Sequence, residues 1–251
     1  MYKRFFAFGC SFTDYIWHTW ADIIAYDLKI PTYNYGVSGI GNVGIASQML
    51  DADLEHNFNA EDLIITVWSS WTREDKVNNQ KIWITGGNIF NNVYYDRKYI
   101  KKYWNTTDCI LKNSHAIIST NKLYGKYIKF QGHISKPGHG EYVVDSTFNL
   151  QDSKIFENYS KHFLVDNIFN IEPYKNLTDQ HPRISSHLNY VGKNIYPKLN
   201  LRLKEETKEH FKTQDEKIEL LGDKFKNVTP QYLDKIIRKN DYKIKIQEFK
   251  K

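Results

Sequence analysis

Cysteine is scarce in this chain, which has only Cys10 and Cys109 among its 251 residues. Two cysteines cannot build a disulfide framework, and no cysteine or histidine cluster has the spacing of a zinc site. Disulfide-stapled secreted domains and structural zinc modules are therefore excluded, and we expect no bound metal. Chains of this kind are usually made in a reducing compartment, so we predict that the protein is cytoplasmic as synthesised.

Long apolar runs are also missing from the sequence. No stretch reaches the roughly 20 apolar residues that cross a bilayer, so we expect no membrane span. The first residues, Met-Tyr-Lys-Arg-Phe-Phe, lack the apolar core and cleavage site of a secretory signal, and we expect no signal peptide. The abundance of Lys, Asn, Ile and Tyr indicates an AT-rich genome, either bacterial or phage. A phage origin would allow the protein to be part of a virion.

Positive charge is in excess, with a formal net charge of +6, but it is not gathered into one basic stripe. Much of it lies at 98–102 and 224–251, and acidic residues interrupt the carboxyl-terminal part, as in Lys204-Glu205-Glu206. Such mixing is typical of a solvated helical face rather than of a phosphate-binding surface. We therefore predict no nucleic-acid partner.

The first 70 residues show an alternation of strands and helices. The pattern predicts strands at 3–9, 33–36 and 63–68, with a helix over about 13–28 and another after the glycines at 36–44. Continuous apolar runs such as Leu63–Trp68 suit parallel strands that are buried on both faces. The sequence therefore predicts an α/β fold, a three-layer α/β/α sandwich with its functional loops at the carboxyl ends of the strands.

Ser11 stands two residues after the glycine that ends the first predicted strand. A strand, a tight turn, a serine and then a helix expose a hydroxyl at the sheet edge, near helical amides. Capping of the helix by Ser11 or Thr13 is the structural alternative. Far along the chain, Asp179 precedes His181 by two residues. That pair can supply the base, and the acid that orients it, which a serine nucleophile requires.

These motifs resemble the conserved blocks of the SGNH (GDSL-type) hydrolase family, over about residues 3–75 and 160–200. The first block, Gly-Asp-Ser-x-Thr, is similar to Gly9–Thr13, and the second, Asn-x-Gly-x-x-Gly, is similar to Asn34–Gly39. The third, Gly-x-Asn-Asp, falls on Val67–Trp71, and the fifth, Asp-x-x-His, falls on Asp179–His181. The resemblance implies a flavodoxin-like sandwich. It also implies a nucleophile at Ser11, a base at His181, an acid at Asp179 and oxyanion-hole amides at Ser11 and Gly39.

The chain departs from the family pattern in three places. Cys10 replaces the aspartate of the first block, and no asparagine stands at the oxyanion position of the third. We expect the hydroxyl of Ser69 or Ser70 to replace that donor, with Arg73 as a further candidate. The acid Asp179 lies two residues before the histidine instead of three.

Three further residues are candidates for substrate contact, namely Trp71, Arg73 and His187. Trp71 could stack on a sugar ring, although a packing role is the alternative.

The glycines at 39, 41 and 44 match a dinucleotide fingerprint. They follow the second strand rather than the first, and the expected acidic residue is absent, so we predict no cofactor.

The rest of the chain gives weaker patterns. A small hairpin is predicted with Gly86-Gly87 between strands at 81–85 and 88–95, and one long helix is predicted over Asn189–Phe211. We place a hydrolase domain at 1–213 and an appendage for oligomerisation or docking at 214–251. The appendage ends in an alternating strand-like segment, Tyr242–Gln247. We expect residues 1–213 to fold without it, although a plain helical extension is the alternative.

The sequence as a whole predicts a serine esterase with a Ser11–His181–Asp179 triad. Its substrate would be a small ester or an O-acylated glycan, for example an O-acetyl group on a carbohydrate. The alternative is a non-catalytic SGNH-like module that is structural or binds glycans in a larger assembly such as a phage virion. The carboxyl-terminal segment would then serve for self-association or virion docking.

Overall fold

A computed structural model describes residues 2–77, 79, 83–89, 96–135, 150–163, 169, 172–175, 177 and 179–224. Its main sheet has four parallel strands, β1 (Arg4–Gly9), β2 (Thr32–Gly36), β3 (Asp62–Trp68) and β6 (Ile128–His133). Their order in the sheet is β2-β1-β3-β6. A separate antiparallel pair joins β4 (Arg73–Val77) to β5 (Trp83–Asn88).

Eight helices surround the sheet in the described parts of the chain. They are α1 (Trp20–Leu28), α2 (Asn42–His56), α3 (Arg97–Tyr103), α4 (Thr106–Tyr124), α5 (Leu150–Ser160), α6 (Ile184–Tyr190), α7 (Tyr196–Lys198) and α8 (Glu205–Lys224). A π-helical stretch, Val191–Ile195, connects α6 to α7. No helix within the described ranges has the length and apolarity that crossing a bilayer requires.

Helices cover both faces of the sheet. Successive residues of β1, from Phe5 to Phe8, are all fully buried, although neighbouring side chains in a strand point to opposite faces. Phe5 packs edge-on against Trp20 of α1, whereas Phe6 packs against Phe58, which follows α2. Contacts among α1, α6 and α8, and among α2, α4 and α5, form two separate helical groups. The predicted α/β fold with a parallel sheet between helices is confirmed.

The predicted first helix begins later than the sequence pattern indicated. Helix α1 starts at Trp20 rather than near residue 13, and Thr19 is its N-cap. The Thr19 amide donates to Asp22 Oδ2 at 2.9 Å, which fixes this start. Ser11 and Thr13 therefore do not cap the helix. The apolar residues before Trp20 belong to a buried loop, and periodicity alone does not distinguish such a loop from a first helical turn.

Two other local predictions need correction. The Gly86-Gly87 pair lies inside β5 and not at a hairpin turn. Strand β5 pairs in antiparallel orientation with β4, the strand that precedes it in the chain. Residues 90–95 of the predicted second strand lie outside the described residues. The long helix predicted over Asn189–Phe211 is interrupted between α7 and α8, where Asn200 adopts a left-handed conformation with φ of 54°. The apolar residues of this segment keep a helical spacing through the non-helical turn at Asn200, so the sequence pattern does not show the interruption.

Helix α8 runs without a break through the predicted boundary at 213/214. Beyond that point Asp215, Ile218 and Leu221 are buried, and the two apolar residues belong to the main core. The structure therefore places the first part of the predicted appendage in the body of the fold. The role of the appendage at 214–251 in oligomerisation or docking stays a prediction, and its residues 225–251, with the strand-like segment Tyr242–Gln247, lie outside the described ones.

Asp215 connects α8 to the loop that enters α6. Its carboxylate accepts from Tyr174 Oη at 2.8 Å, from Arg183 Nη2 at 2.6 Å and from the Ser185 amide at 3.1 Å. We predict that Asp215→Ala lowers the free energy of unfolding by about 2–3 kcal/mol, because it leaves buried donors and a partly buried cation unpaired.

Urea denaturation of the purified protein measures this change. Glu216→Ala is the matched control, since Glu216 is the exposed neighbour on the same helix and should change stability by less than about 0.5 kcal/mol. Equal effects of the two substitutions would contradict the anchoring role of Asp215.

Candidate active site

Ser11 lies in the turn that follows β1, at the carboxyl edge of the sheet. The turn is closed by the amides of Thr13 and Asp14, which both donate to the Cys10 carbonyl at 2.8 and 3.2 Å. The turn is also tight, because a Cβ added at Gly9 would lie 2.1 Å from Thr13 Oγ1. Ser11 itself is only 2% exposed. Its hydroxyl is thus held at a fixed place on the sheet edge.

Ser11, His181 and Asp179 form one hydrogen-bonded series. Ser11 Oγ lies 2.8 Å from His181 Nε2, although the two residues are 170 positions apart in the chain. On the other side of the ring, His181 Nδ1 lies 2.8 Å from Asp179 Oδ1. The structure therefore brings together the three residues to which the sequence pattern pointed. A hydroxyl, an imidazole and a carboxylate in this order can move a proton from the hydroxyl to the ring.

The carboxylate of Asp179 is bound on both oxygens. Oδ1 accepts from the His181 amide at 2.7 Å as well as from the ring, which closes an Asx-type turn over the two-residue spacing. Oδ2 accepts from the hydroxyl of Tyr15. Burial raises the pKa of Asp179, but the hydrogen bonds from His181 and Tyr15, together with the charge of His181, outweigh burial and lower it below its usual value. Asp179 is thereby kept as a carboxylate.

The segment between Ser11 and α1 holds the loop that carries His181. Trp17 is buried, and its indole Nε1 donates to the Pro182 carbonyl at 2.8 Å. The ring of Tyr15 stacks on the imidazole of His181, with centroids 3.8 Å apart and planes inclined by 17°. Sequence reasoning assigned no role to Tyr15. Its closeness to Ser11 in the chain was the available signal, but nothing local shows that it reaches residues 179–181.

The glycine loop at 39–44 is fixed from two sides. Gly39 has a φ of +82°, and its carbonyl accepts from the Gly87 amide at 3.0 Å. The carboxylate of Asp75 accepts from the amides of Gly41 and Gly44, both at 2.7 Å, at the start of α2. Burial raises the pKa of Asp75, and the two amide bonds oppose that rise. Strands β4 and β5, which contain Asp75 and Gly87, therefore set the position of the Gly39 backbone.

Ser69 and Ser70 follow β3 and differ in how their groups are used. The Ser69 amide donates to Asn42 Oδ1 at 2.7 Å, while the buried Ser69 hydroxyl has no hydrogen-bond partner in the described part of the chain. The Ser70 hydroxyl lies 3.0 Å from Thr72 Oγ1. Asn42 Nδ2 also donates to Asn113 Oδ1 at 2.7 Å and to the Ser69 carbonyl at 3.3 Å, which uses both of its N–H groups. The Ser69 hydroxyl therefore lacks a partner among the described residues, whereas the Ser70 hydroxyl has one.

The three predicted substrate contacts have other partners in the structure. Trp71 is 2% exposed, and its indole donates to the Ser135 carbonyl at 3.1 Å, so it packs in the core. His187 is 1% exposed, and this burial lowers its pKa to about 3, so the ring is neutral; it packs against Phe169. Arg73 Nη1 donates to the Ile40 carbonyl at 3.1 Å and supports the glycine loop. Substrate contact by Trp71, Arg73 and His187 stays a prediction.

No three His, Cys, Asp or Glu side chains cluster as metal ligands would within the described ranges. No protein-family model matches the sequence, and no curated protein matches it. Solved structures do resemble the fold.

One is a member of the lipolytic protein G-D-S-L family from Veillonella parvula. It is 12% identical with a TM-score of 0.43, and the match covers 75% of this chain and 93% of that one. Another is an acetylxylan esterase from Geobacillus stearothermophilus. It is also 12% identical, with a TM-score of 0.40, and the match covers 80% of this chain and 95% of that one.

Gly39 provides a test of the glycine loop. A Cβ at this position would lie 2.5 Å from the Thr85 carbonyl oxygen, and the left-handed φ of +82° disfavours any larger residue. We predict that Gly39→Ala lowers the free energy of unfolding by about 1–3 kcal/mol, because the clash with backbone adds to the conformational strain.

Gly192→Ala is the matched control, since a Cβ at Gly192 meets nothing within 4 Å. That substitution should leave stability unchanged or raise it by up to about 1 kcal/mol, as is usual for glycine in a helical segment. Chemical denaturation of both variants measures the two changes in the free energy of unfolding. A stable Gly39→Ala protein would show that the loop can move away from β5.

Proposed function

We propose that this protein is a serine ester hydrolase that uses Ser11, His181 and Asp179. The observation that carries the proposal is the series from Ser11 Oγ to His181 Nε2 and from His181 Nδ1 to Asp179 Oδ1, with both contacts at 2.8 Å. A serine hydroxyl is a poor nucleophile until a base removes its proton, and this arrangement supplies that base. The motifs shared with the SGNH family support the same assignment.

The proposed reaction has two halves. In the first, Ser11 Oγ attacks the ester carbonyl while its proton passes to His181 Nε2, and Asp179 stabilises the imidazolium that results. Collapse of the tetrahedral intermediate expels the alcohol, which takes the proton from His181, and leaves an acyl group on Ser11. In the second half, water attacks the acyl group as His181 takes its proton. The acid leaves, and Ser11 regains its hydrogen.

The oxyanion of each intermediate requires fixed donors. We assign this role to the amides of Ser11 and Gly39, neither of which donates to another group in the described part of the chain. Between the two serine candidates for a third donor, we favour Ser69. Its hydroxyl has no other partner, whereas that of Ser70 faces Thr72. This hydroxyl would replace the asparagine that the family motif places there.

Burial of Ser11 points to a small acyl group. Ser11 is 2% exposed and stands between Cys10 and Phe12, which are 0% and 5% exposed. A short acyl group such as acetyl fits such surroundings better than a long chain. The proposal of O-acetylated carbohydrate rests on the family resemblance alone. Trp71, the aromatic ring offered for sugar stacking, is buried.

A non-catalytic glycan-binding or structural module is the second candidate function. It is favoured by the missing oxyanion asparagine and by the Ser69 amide, which is already bound to Asn42. The retained contact between Ser11 and His181 opposes it. Self-association or virion docking through the carboxyl-terminal segment remains part of this candidate. The segment after Lys224 that would carry it lies outside the described residues.

Hydrolysis of p-nitrophenyl acetate by purified protein tests the primary proposal. We predict that Ser11→Ala lowers kcat/KM by at least about 10⁴-fold, because nucleophile and base act as one unit. The melting temperature should hardly change, since Ser11 caps no helix. Ser160→Ala, a serine substitution on α5, serves as the control and should keep wild-type turnover. Equal turnover by wild type and Ser11→Ala would refute the assignment, and absence of turnover in both would favour the non-catalytic module.

The two candidate donors can be compared directly. We predict that Ser69→Ala lowers kcat by about 100-fold, because a donor to the developing oxyanion is lost, with little change in KM. Ser70→Ala should stay within about threefold of wild type, since its hydroxyl already bonds to Thr72 and a change of that size is below 1 kcal/mol. Steady-state kinetics of both variants provides the measurement. The opposite ranking would move the third donor to Ser70.

A further inference from the structure

Tyr15 contacts two members of the proposed triad at once. Its hydroxyl donates to Asp179 Oδ2, and its ring lies flat on the imidazole of His181, with centroids 3.8 Å apart. The edge of the same ring meets Trp17, with centroids 4.7 Å apart and planes at 80°. Trp17 is itself buried and bonded to the Pro182 carbonyl, so Tyr15 is backed by a fixed neighbour.

Because Asp179 and His181 are only two residues apart, the hydrogen bond from Tyr15 to Asp179 is important for the position of the carboxylate. One carboxylate oxygen, Oδ1, accepts both the amide and the ring Nδ1 of His181, at 2.7 and 2.8 Å. Both of those bonds are local and lie within the same short loop. They do not fix the carboxylate relative to the rest of the protein. The second oxygen, Oδ2, is bound by the Tyr15 hydroxyl, which comes from the loop that follows Ser11.

Tyr15 also covers one face of the imidazole. The side chain of His181 is 28% exposed, so the ring would otherwise have room to turn. A stacked ring restricts that rotation. The electron-rich face of a tyrosine also favours a positive charge placed over it, as on the imidazolium formed during acyl transfer. Trp17 anchors the backbone of the loop, whereas Tyr15 acts on the side chains of Asp179 and His181.

We propose that Tyr15 is a positioning residue that orients Asp179 and His181 toward Ser11. The kinetic part of this inference rests on the proposed hydrolase function. The geometric part concerns the tautomer and orientation of His181 and can be measured without turnover.

Two substitutions separate the roles of the hydroxyl and the ring. Tyr15→Phe removes the bond to Asp179 and keeps the stack, and we expect kcat to fall about tenfold, the effect of one hydrogen bond. Tyr15→Leu removes both contacts, and we expect a fall of about 100-fold. KM should stay within about twofold in both variants, because the lost contacts act on the base and not on the substrate.

Tyr26→Phe is the matched control. Tyr26 also stacks on a histidine, His210, with centroids 4.5 Å apart, but it lies on α1 away from the triad. It should leave kcat unchanged. If kcat of Tyr15→Phe and Tyr15→Leu stays within about twofold of wild type, a positioning role is refuted.

Two-bond ¹H–¹⁵N spectra of the imidazole rings provide the measurement that does not depend on turnover. The protein has 9 histidines, and loss of a signal in His181→Ala assigns His181. We expect neutral His181 to carry its proton on Nδ1 in the wild type, facing Asp179, and to become a mixture of tautomers in Tyr15→Leu. Unchanged His181 signals in both Tyr15 variants would overturn the inference. If the wild type hydrolyses no ester, the hydrolase proposal fails, while these spectra still decide the role of Tyr15.

Discussion

The burial of strand β1 in the middle of the sheet is the constraint on which the site depends. Phe5 to Phe8 are fully buried, and Phe5 packs against Trp20 whereas Phe6 packs against Phe58 on the opposite face, so a slip by one residue would exchange these closely packed side chains. Its register places Gly9 level with Gly36 of β2 and with Val67 of β3. The chain leaves all three strands at the same edge. The loops that carry Ser11, Gly39 and Ser69 therefore begin side by side because of the sheet, before any of their own contacts form.

The sequence was sufficient to predict strands β1 to β3 and the meeting of Ser11 with His181. Apolar runs that end at one edge of a parallel sheet bring distant loops together, and the two-residue pair at 179–181 marked one of those loops. The contacts of Tyr15 with Asp179 and His181, and those of the Asp75 carboxylate with the Gly41 and Gly44 amides, could not be predicted in this way. Each is a contact between side chains of one segment and groups of another. Local patterns contain no information on which distant segment a polar side chain will reach.

Burial of charge explains why the sequence pattern does not show that α8 packs against the core beyond residue 213. Asp215 has the appearance of a solvated residue in a charged helix, yet it is buried because Arg183, Tyr174 and Ser185 satisfy it. At the other end of the same helix, the buried Asp27 of α1 accepts from Thr207 Oγ1 at 2.6 Å. Two aspartates thus attach α8 to the core. A hydropathy pattern treats both as surface residues, since the partners that make their burial tolerable lie far away in sequence.

The bond between Arg183 and Asp215 determines when, during translation, the loop that carries His181 gains its support. Residue 183 stands two positions after His181, and its guanidinium is held by a helix that is synthesised more than 30 residues later. Ser11 is synthesised before His181, and the residue that supports the loop carrying His181 is synthesised after both. A nascent chain therefore holds Ser11 and His181 without this support until α8 has been synthesised.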